Sequence, residues 1–271
     1  MARSLVIALS FLLFTFSVSA GEIKRKPAYK SGETLECAFY FNWKFVWVRA
    51  GGAKLVIRDT IYNNRKAQYM SLVSSTNEKA DAFFKMRDTL TTIFTPEDVR
   101  PLYYRKSSVQ GRHVYLNEVK YNYLPGGRTN LLQLYKRDGQ LRVFRNDTCN
   151  VAVYDMMSLL AYARTFDFSS FKPGQRLSYT VASGKRLEEQ RLVYRGVTKI
   201  TADDGFDYEC LEISLVELDA NKKERTIVNF FVTNDDNHLP ILIDFVLNFG
   251  TAKARLSSRK GLLYPLLPLK K

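Results

Sequence analysis

Leu35-Glu36-Cys37-Ala38-Phe39-Tyr40-Phe41-Asn42-Trp43-Lys44-Phe45-Val46-Trp47 is the stretch on which the fold turns. Leu35, Cys37, Phe39, Phe41, Trp43, Phe45 and Trp47 repeat at a period of two, the spacing of a strand with one buried face. Ala50-Gly51-Gly52 reads as a turn, and Ala53, Leu55 and Ile57 then resume the alternation. The expected unit is a long hairpin with Phe39, Phe41, Trp43, Phe45 and Trp47 on one face.

The same pattern continues along the chain. Asn63-Asn64, Thr95-Pro96-Glu97-Asp98, Gly111, Pro125-Gly126-Gly127 and Asp138-Gly139 punctuate short apolar-alternating runs, including one read over Phe83–Phe94. Ile241, Ile243, Phe245, Leu247 and Phe249 form a second clean alternation. One segment differs. Asp155 is a good helix cap, and Met156, Leu159, Leu160 and Ala163 follow at i, i+3, i+4 and i+7, which predicts an amphipathic helix over Asp155–Thr165. About a dozen strands with hairpin-length links and one short amphipathic helix predict a mainly β, antiparallel, barrel-like architecture. Gly32-Glu33-Thr34-Leu35 is echoed by Gly174-Gln175-Arg176-Leu177, so a β half over 21–165 and a second over 166–271 are expected, joined through the helix.

Met1–Ala20 has the order of an export signal: Arg3, the apolar run Leu5–Phe16, and Val18-Ser19-Ala20 before Gly21. No later stretch is long and apolar enough for a membrane span. The chain carries 41 Lys and Arg against 27 Asp and Glu, a formal charge of +14. In an exported protein that charge points to envelope polyanions or to simple solubility, not to nucleic acid. The basic clusters, Lys24-Arg25-Lys26, Arg105-Lys106 and Lys222-Lys223, are short and dispersed.

Two His and three Cys leave little material for a closed zinc site. No nucleophile elbow, phosphate loop or dinucleotide fingerprint is present. His113 and His238 stand alone. Asp203-Asp204-Gly205-Phe206-Asp207 and Asn234-Asp235-Asp236-Asn237-His238 are rich in oxygen ligands but read as hairpin turns. Whether any two of Cys37, Cys149 and Cys210 are bridged stays open. No catalytic residue, metal ligand or cofactor is assigned, and the chain is read as not an enzyme. Arg87-Asp88, a charged pair inside an apolar run, is read as an ion pair on a strand.

Several of these pieces resemble a bacterial exported family catalogued as a domain of unknown function, number three thousand one hundred and eight. They are Gly32-Glu33-Thr34-Leu35 with the strand that follows and Gly51-Gly52-Ala53; Phe84-Lys85-Met86-Arg87-Asp88; Pro101-Leu102; Asp155 with Leu159, Tyr162 and Arg164; Gly174; and Thr233-Asn234-Asp235-Asp236-Asn237-His238-Leu239-Pro240 before the Gly250 strand. The resemblance implies two curved, half-barrel-like sheets of the YmcC-like fold, and an envelope location, periplasm or outer-membrane periphery, in Gram-negative bacteria. It implies no activity. Arg87, Asp88, Asp155, Tyr162, Arg164, Asp235, Asp236 and Pro240 carry over as motif positions: a strand ion pair, a helix cap, a helix-to-sheet contact and a turn.

The leading functional expectation is a non-enzymatic binder of lipid or glycan. Trp43, Trp47, Arg87, Asp88, Tyr162 and Arg164 are its candidate contacts, with the alternative that the aromatic face is core. A scaffold in envelope polysaccharide or lipoprotein traffic, with an envelope protein as partner, and a hydrolase using turn carboxylates are the other two readings.

Overall fold

The computed structural model describes residues 23–43, 46–218, 223–247 and 250–269. The export signal read over Met1–Ala20, and Phe45 of the aromatic stretch, lie outside these residues. In chain order the elements are β1 (Thr34–Trp43), β2 (Val46–Tyr62), β3 (Arg65–Thr76), the short α1 (Glu78–Asp81), β4 (Met86–Phe94), β5 (Pro101–Gln110), β6 (His113–Tyr123), β7 (Thr129–Arg137), β8 (Gln140–Cys149), β9 (Val153–Tyr154), α2 (Met156–Arg164), β10 (Arg176–Ala182), β11 (Leu187–Thr201), β12 (Asp207–Leu218), β13 (Glu224–Thr233), β14 (Pro240–Leu247) and β15 (Gly250–Lys260).

The strands form one sheet in the order β8-β7-β6-β5-β4-β3-β2-β1-β15-β14-β13-β12-β11-β10-β9. This corrects the expectation of two half-barrel sheets. The antiparallel ladder between β1 and β15, from Thr34↔Lys260 to Phe41↔Ala252, joins the two meanders in mid-sheet. The two ends of the order, β8 and β9, are neighbours in sequence, so the sheet must curl back on itself and is nearly closed. The β10–β11 turn reinforces the closure by reaching across to β6 and β7. Asn117 Nδ2 donates to Ser183 O at 2.8 Å, and Gly184 N donates to Gln133 Oε1 at 3.1 Å.

Local chemistry explains the turns. Asn63 and Asn64 have φ of +49° and +61°, as a two-residue hairpin link requires, and Asn tolerates this region well. Ala50-Gly51-Gly52 is not a turn but the middle of β2. A Cβ at Gly51 would sit 2.1 Å from Ser75 O and one at Gly52 2.8 Å from Cys37 O, so the glycines are there to let neighbouring backbones approach. The chain instead reverses between Trp43 and Val46, which pair with each other. Phe83 and Phe84 precede β4 in the bend that closes α1, because Asp81, Phe83 and Phe84 hydrogen-bond back to Asn77 and Ala80.

Helix α2 lies where the sequence places it, but it is enclosed and not one-sided. Met156 is exposed, whereas no residue from Met157 to Phe166 is. Met157 and Ala161 pack with Ile57, Met70, Leu90, Phe94, Val119 and Leu131 in the main core. Phe166 and Phe168, just beyond the helix, pack with Leu192, Tyr194, Leu211 and Ile213 in a second. Full burial of each such side chain contributes roughly 1.5–3 kcal/mol. The helix is also the crossover between β9 and β10, the one parallel pair among the described ladders.

Candidate ligand-binding surface

The six residues singled out in the sequence do not converge. Arg164 ends α2 fully buried. Its guanidinium donates to Glu33 Oε1 at 2.6 Å and Oε2 at 3.1 Å, and to the carbonyls of Asn237 and Ala28. It is a clamp between the helix, the N-terminal segment and the turn after β13, with Tyr29 beneath it at 5.2 Å. Tyr162, half-buried, stacks on Tyr154 at 4.9 Å and meets Phe166 edge-on at 5.0 Å, with Arg25 over its ring.

Arg87 and Asp88 do not pair with each other, because adjacent residues on a strand point to opposite faces. Arg87 binds Asp81 of α1 through two contacts, at 2.9 and 2.5 Å, and holds that carboxyl down at about 2. Asp88 accepts from Ser108 and lies 3.8 Å from Lys106 Nζ. Trp43 and Trp47 fall on different strands, β1 and β2. Trp47 sits opposite Asn42, so it shares Asn42's face and not that of Phe41, and Lys253 Nζ lies 4.8 Å over its ring. The period-two set is therefore one strand only as far as Trp43.

What the ladders do bring together is a surface the sequence did not single out. Residues directly opposite across antiparallel strands share a face. Phe39, Ala254, Ile243, Phe230 and Ile213 form one such row across β1, β15, β14, β13 and β12. Phe41, Ala252, Phe245, Val228 and Leu215 form the next. In each row an alanine stands between a phenylalanine of β1 and a branched or aromatic residue of β14. The result is a trough with Ala252 and Ala254 as floor and Phe39, Phe41, Ile243 and Phe245 as walls. Ala254 is buried, while all four wall residues are only half-buried. The alternation in β1 and β14 signals apolar faces; the pairing that makes them one face is set by long-range register and is invisible in either strand alone.

Several polar groups elsewhere are engaged internally. His238 donates from Nδ1 to the Arg164 carbonyl at 2.6 Å and meets Phe168 edge-on. His113 lies between Asp138 and Arg137. Asp235 accepts from Thr233 Oγ1 and from the backbone N–H groups of Asn237 and His238, so this acidic run is a hydrogen-bonded turn. Asp203 and Asp204 are held by Arg255 and Arg259. A cleft of about 220 Å³ beside β11 and β12 is lined by Arg186, Glu188, Glu189 and Arg191, which pair among themselves. Among the described residues no group of three or more His, Cys, Asp or Glu is placed to hold a metal ion, and Cys37, Cys149 and Cys210 are unbridged. No helix among them is long and apolar enough to cross a membrane.

Asp155 has the most unusual setting. It caps α2, accepting from Met157 N and Ser158 N at 2.9 Å each, and its other oxygen accepts from Thr92 at 2.9 Å. Complete burial pushes its carboxyl up to about 6, against those hydrogen bonds. The folded value exceeds the unfolded one, near 4. The proton therefore stabilises the fold fully below about pH 4, and that contribution is lost as pH rises through 6. Asp155→Asn keeps an oxygen for the helix cap and abolishes the titration. The variant should gain on the wild type by on the order of 3 kcal/mol between pH 4 and 7, read as urea midpoints at the two pH values. Parallel pH responses of the two proteins would contradict this.

The sequence pattern of the family described as "Protein of unknown function (DUF3108)" matches residues 38–257. The chain belongs to this family. No curated protein matches significantly. Among solved structures, the DUF3108 chain is similar to a beta-barrel-like protein of domain of unknown function DUF1849 from Brucella abortus, at 9% identity and a TM-score of 0.49, covering 88% of this chain and 100% of that one.

Proposed function

We propose that this DUF3108 protein is a non-enzymatic carrier or receptor for an acyl-bearing lipid in the cell envelope, with the chain lying in the alanine-floored trough. The observation that supports it is the pair of apolar rows from β1 to β12, whose wall residues stay half-buried although α2 and Phe166–Phe168 cover the sheet beside them. Apolar walls left half-buried suit a hydrocarbon chain better than a sugar, which would need hydrogen-bonding side chains on that face. The engagement of Asp88, Asp155 and Asp235 in structural hydrogen bonds supports a binding role over hydrolysis. The envelope location rests on reading Met1–Ala20 as an export signal.

The test is titration with an environment-sensitive dansyl fatty acid, followed by displacement with palmitate. The wild-type protein should bind the probe with a blue shift. Phe245→Asp and Ala252→Phe should each weaken it about tenfold or more, the equivalent of losing one buried aromatic contact or blocking the floor. Phe144→Ser, on exposed β8, should leave it unchanged. A folded protein that neither binds the probe nor yields lipid on solvent extraction, or that binds equally well in all variants, would overturn the reading.

A further inference from the structure

The end of the molecule formed by the β1–β2 tip carries a second unusual surface. Val46, Trp47 and Val48 are consecutive and 62%, 40% and 48% exposed. Phe83 and Phe84, in the bend after α1, are 80% and 53% exposed. Hydrogen bonds join the two segments into one corner. Asn77 N donates to Ala50 O at 2.9 Å, and Asn77 Nδ2 donates to Arg49 O at 2.8 Å, so α1 starts against β2 immediately after Val48. Gly111 N donates to Lys85 O at 2.8 Å, which brings the β5–β6 turn, with Arg112, to the same corner. Single exposed apolar residues are ordinary, but five at one rigid corner are not.

The charges around this patch select its partner. Arg49, Lys79, Lys85 and Arg112 are exposed, and among the described residues none of them forms an ion pair with a carboxylate. The carboxylates of the corner are Glu78 and Asp81, and Asp81 is taken by Arg87. Lys253 adds a cation over the Trp47 ring. An end of β2 that exposes Val46 and Val48 on one face and Trp47 on the other, next to the Phe83–Phe84 bend and with lysine and arginine around it, matches the interface of an anionic bilayer. There aromatic rings lie at the headgroup level, apolar side chains reach the acyl boundary, and each nearby cation adds attraction to acidic lipid. A second copy of this chain would bring the same cations face to face, which disfavours self-association through this corner.

We propose that the corner built by Val46–Val48 and Phe83–Phe84 docks the protein on an anionic phospholipid surface. The trough ends at the same tip, since Phe41 is opposite Val48. The docking inference nevertheless stands on different residues and survives if the trough binds nothing.

Both tryptophans of the chain, Trp43 and Trp47, belong to this hairpin, which makes them intrinsic reporters. The experiment is co-sedimentation of the exported, purified protein with large vesicles of phosphatidylcholine alone or with 30% phosphatidylglycerol. Tryptophan quenching by lipids brominated on the acyl chain is read in parallel. The wild type should bind the anionic vesicles about tenfold or more tightly than the neutral ones, because the cations of the corner are attracted to acidic lipid, and its fluorescence should be quenched. Phe83→Glu/Phe84→Glu and Lys79→Glu/Lys85→Glu should each reduce binding at least tenfold, with circular dichroism and urea midpoint retained. Both variants share the wild-type N-terminus, so any contribution of Leu5–Phe16 cancels. Absence of binding to anionic vesicles, equal binding by wild type and both variants, unquenched tryptophan, or a dimer that the Phe83/Phe84 variant dissolves would each overturn the proposal.

Discussion

Arg164→Leu should lower the unfolding free energy by about 3–5 kcal/mol, the usual cost of removing one partner from a buried ion pair. Three separate debts arise at once. Glu33, fully buried, loses both hydrogen bonds that stabilise its charge, and the carbonyls of Ala28 and Asn237 lose their donor. Arg164→Lys should rescue little, because a single ammonium cannot reproduce the two-pronged contact with Glu33 while also reaching two carbonyls. Glu33→Leu/Arg164→Leu should recover much of the loss, since an apolar pair of similar volume leaves no orphan charge. Urea unfolding of the four proteins checks this. A single-variant loss under about 1 kcal/mol would mean that water or a neighbour reaches Glu33.

Gly184→Val should destabilise the protein by about 3 kcal/mol or more and loosen the contact that draws the curled sheet together. Gly184 has φ of +83°, where a β-branched residue is strained by roughly 1–3 kcal/mol. Its Cβ would also lie 3.0 Å from Asn117 Cβ and from Leu134 O, and crowding of that kind costs roughly 1–3 kcal/mol more. Displacing the turn would break the bonds from Asn117 to Ser183 and from Gly184 to Gln133. Hydrogen exchange should therefore accelerate in β6, β7, β10 and β11, while β1, β2 and β15 keep their protection. Uniform acceleration would show that closure and sheet unfold together.

The Arg164 and Gly184 sites illustrate how far a linear reading reaches. Arg164 is a motif position beside Tyr162, and a helix-to-sheet contact is what the family resemblance implies for it; its partners are instead Glu33 and the carbonyls of Ala28 and Asn237. Its partner, Glu33, is 131 positions away and looked like the polar start of a strand. The expected Arg87-Asp88 pairing fails for the converse reason. Adjacency in sequence suggested contact, whereas the pleat sends neighbours to opposite faces, and each found a partner from another element. Gly51 and Gly52 looked like a turn because glycine serves turns and close backbone approach equally well, and local sequence does not distinguish them.

By itself the sequence determined the β class, the Asn63-Asn64 and Asp138-Gly139 turns, and the position and cap of α2, because period-two alternation, turn chemistry and capping are local properties of a few residues. Only the tertiary structure decided that β1 pairs with β15, that fifteen strands make one curled sheet instead of two, and that α2 is enclosed. The same ladders decided that Phe39 and Phe41 share a face with Ile243 and Phe245. Register between segments some two hundred residues apart depends on the whole sheet finding its mates, and no local pattern carries that information.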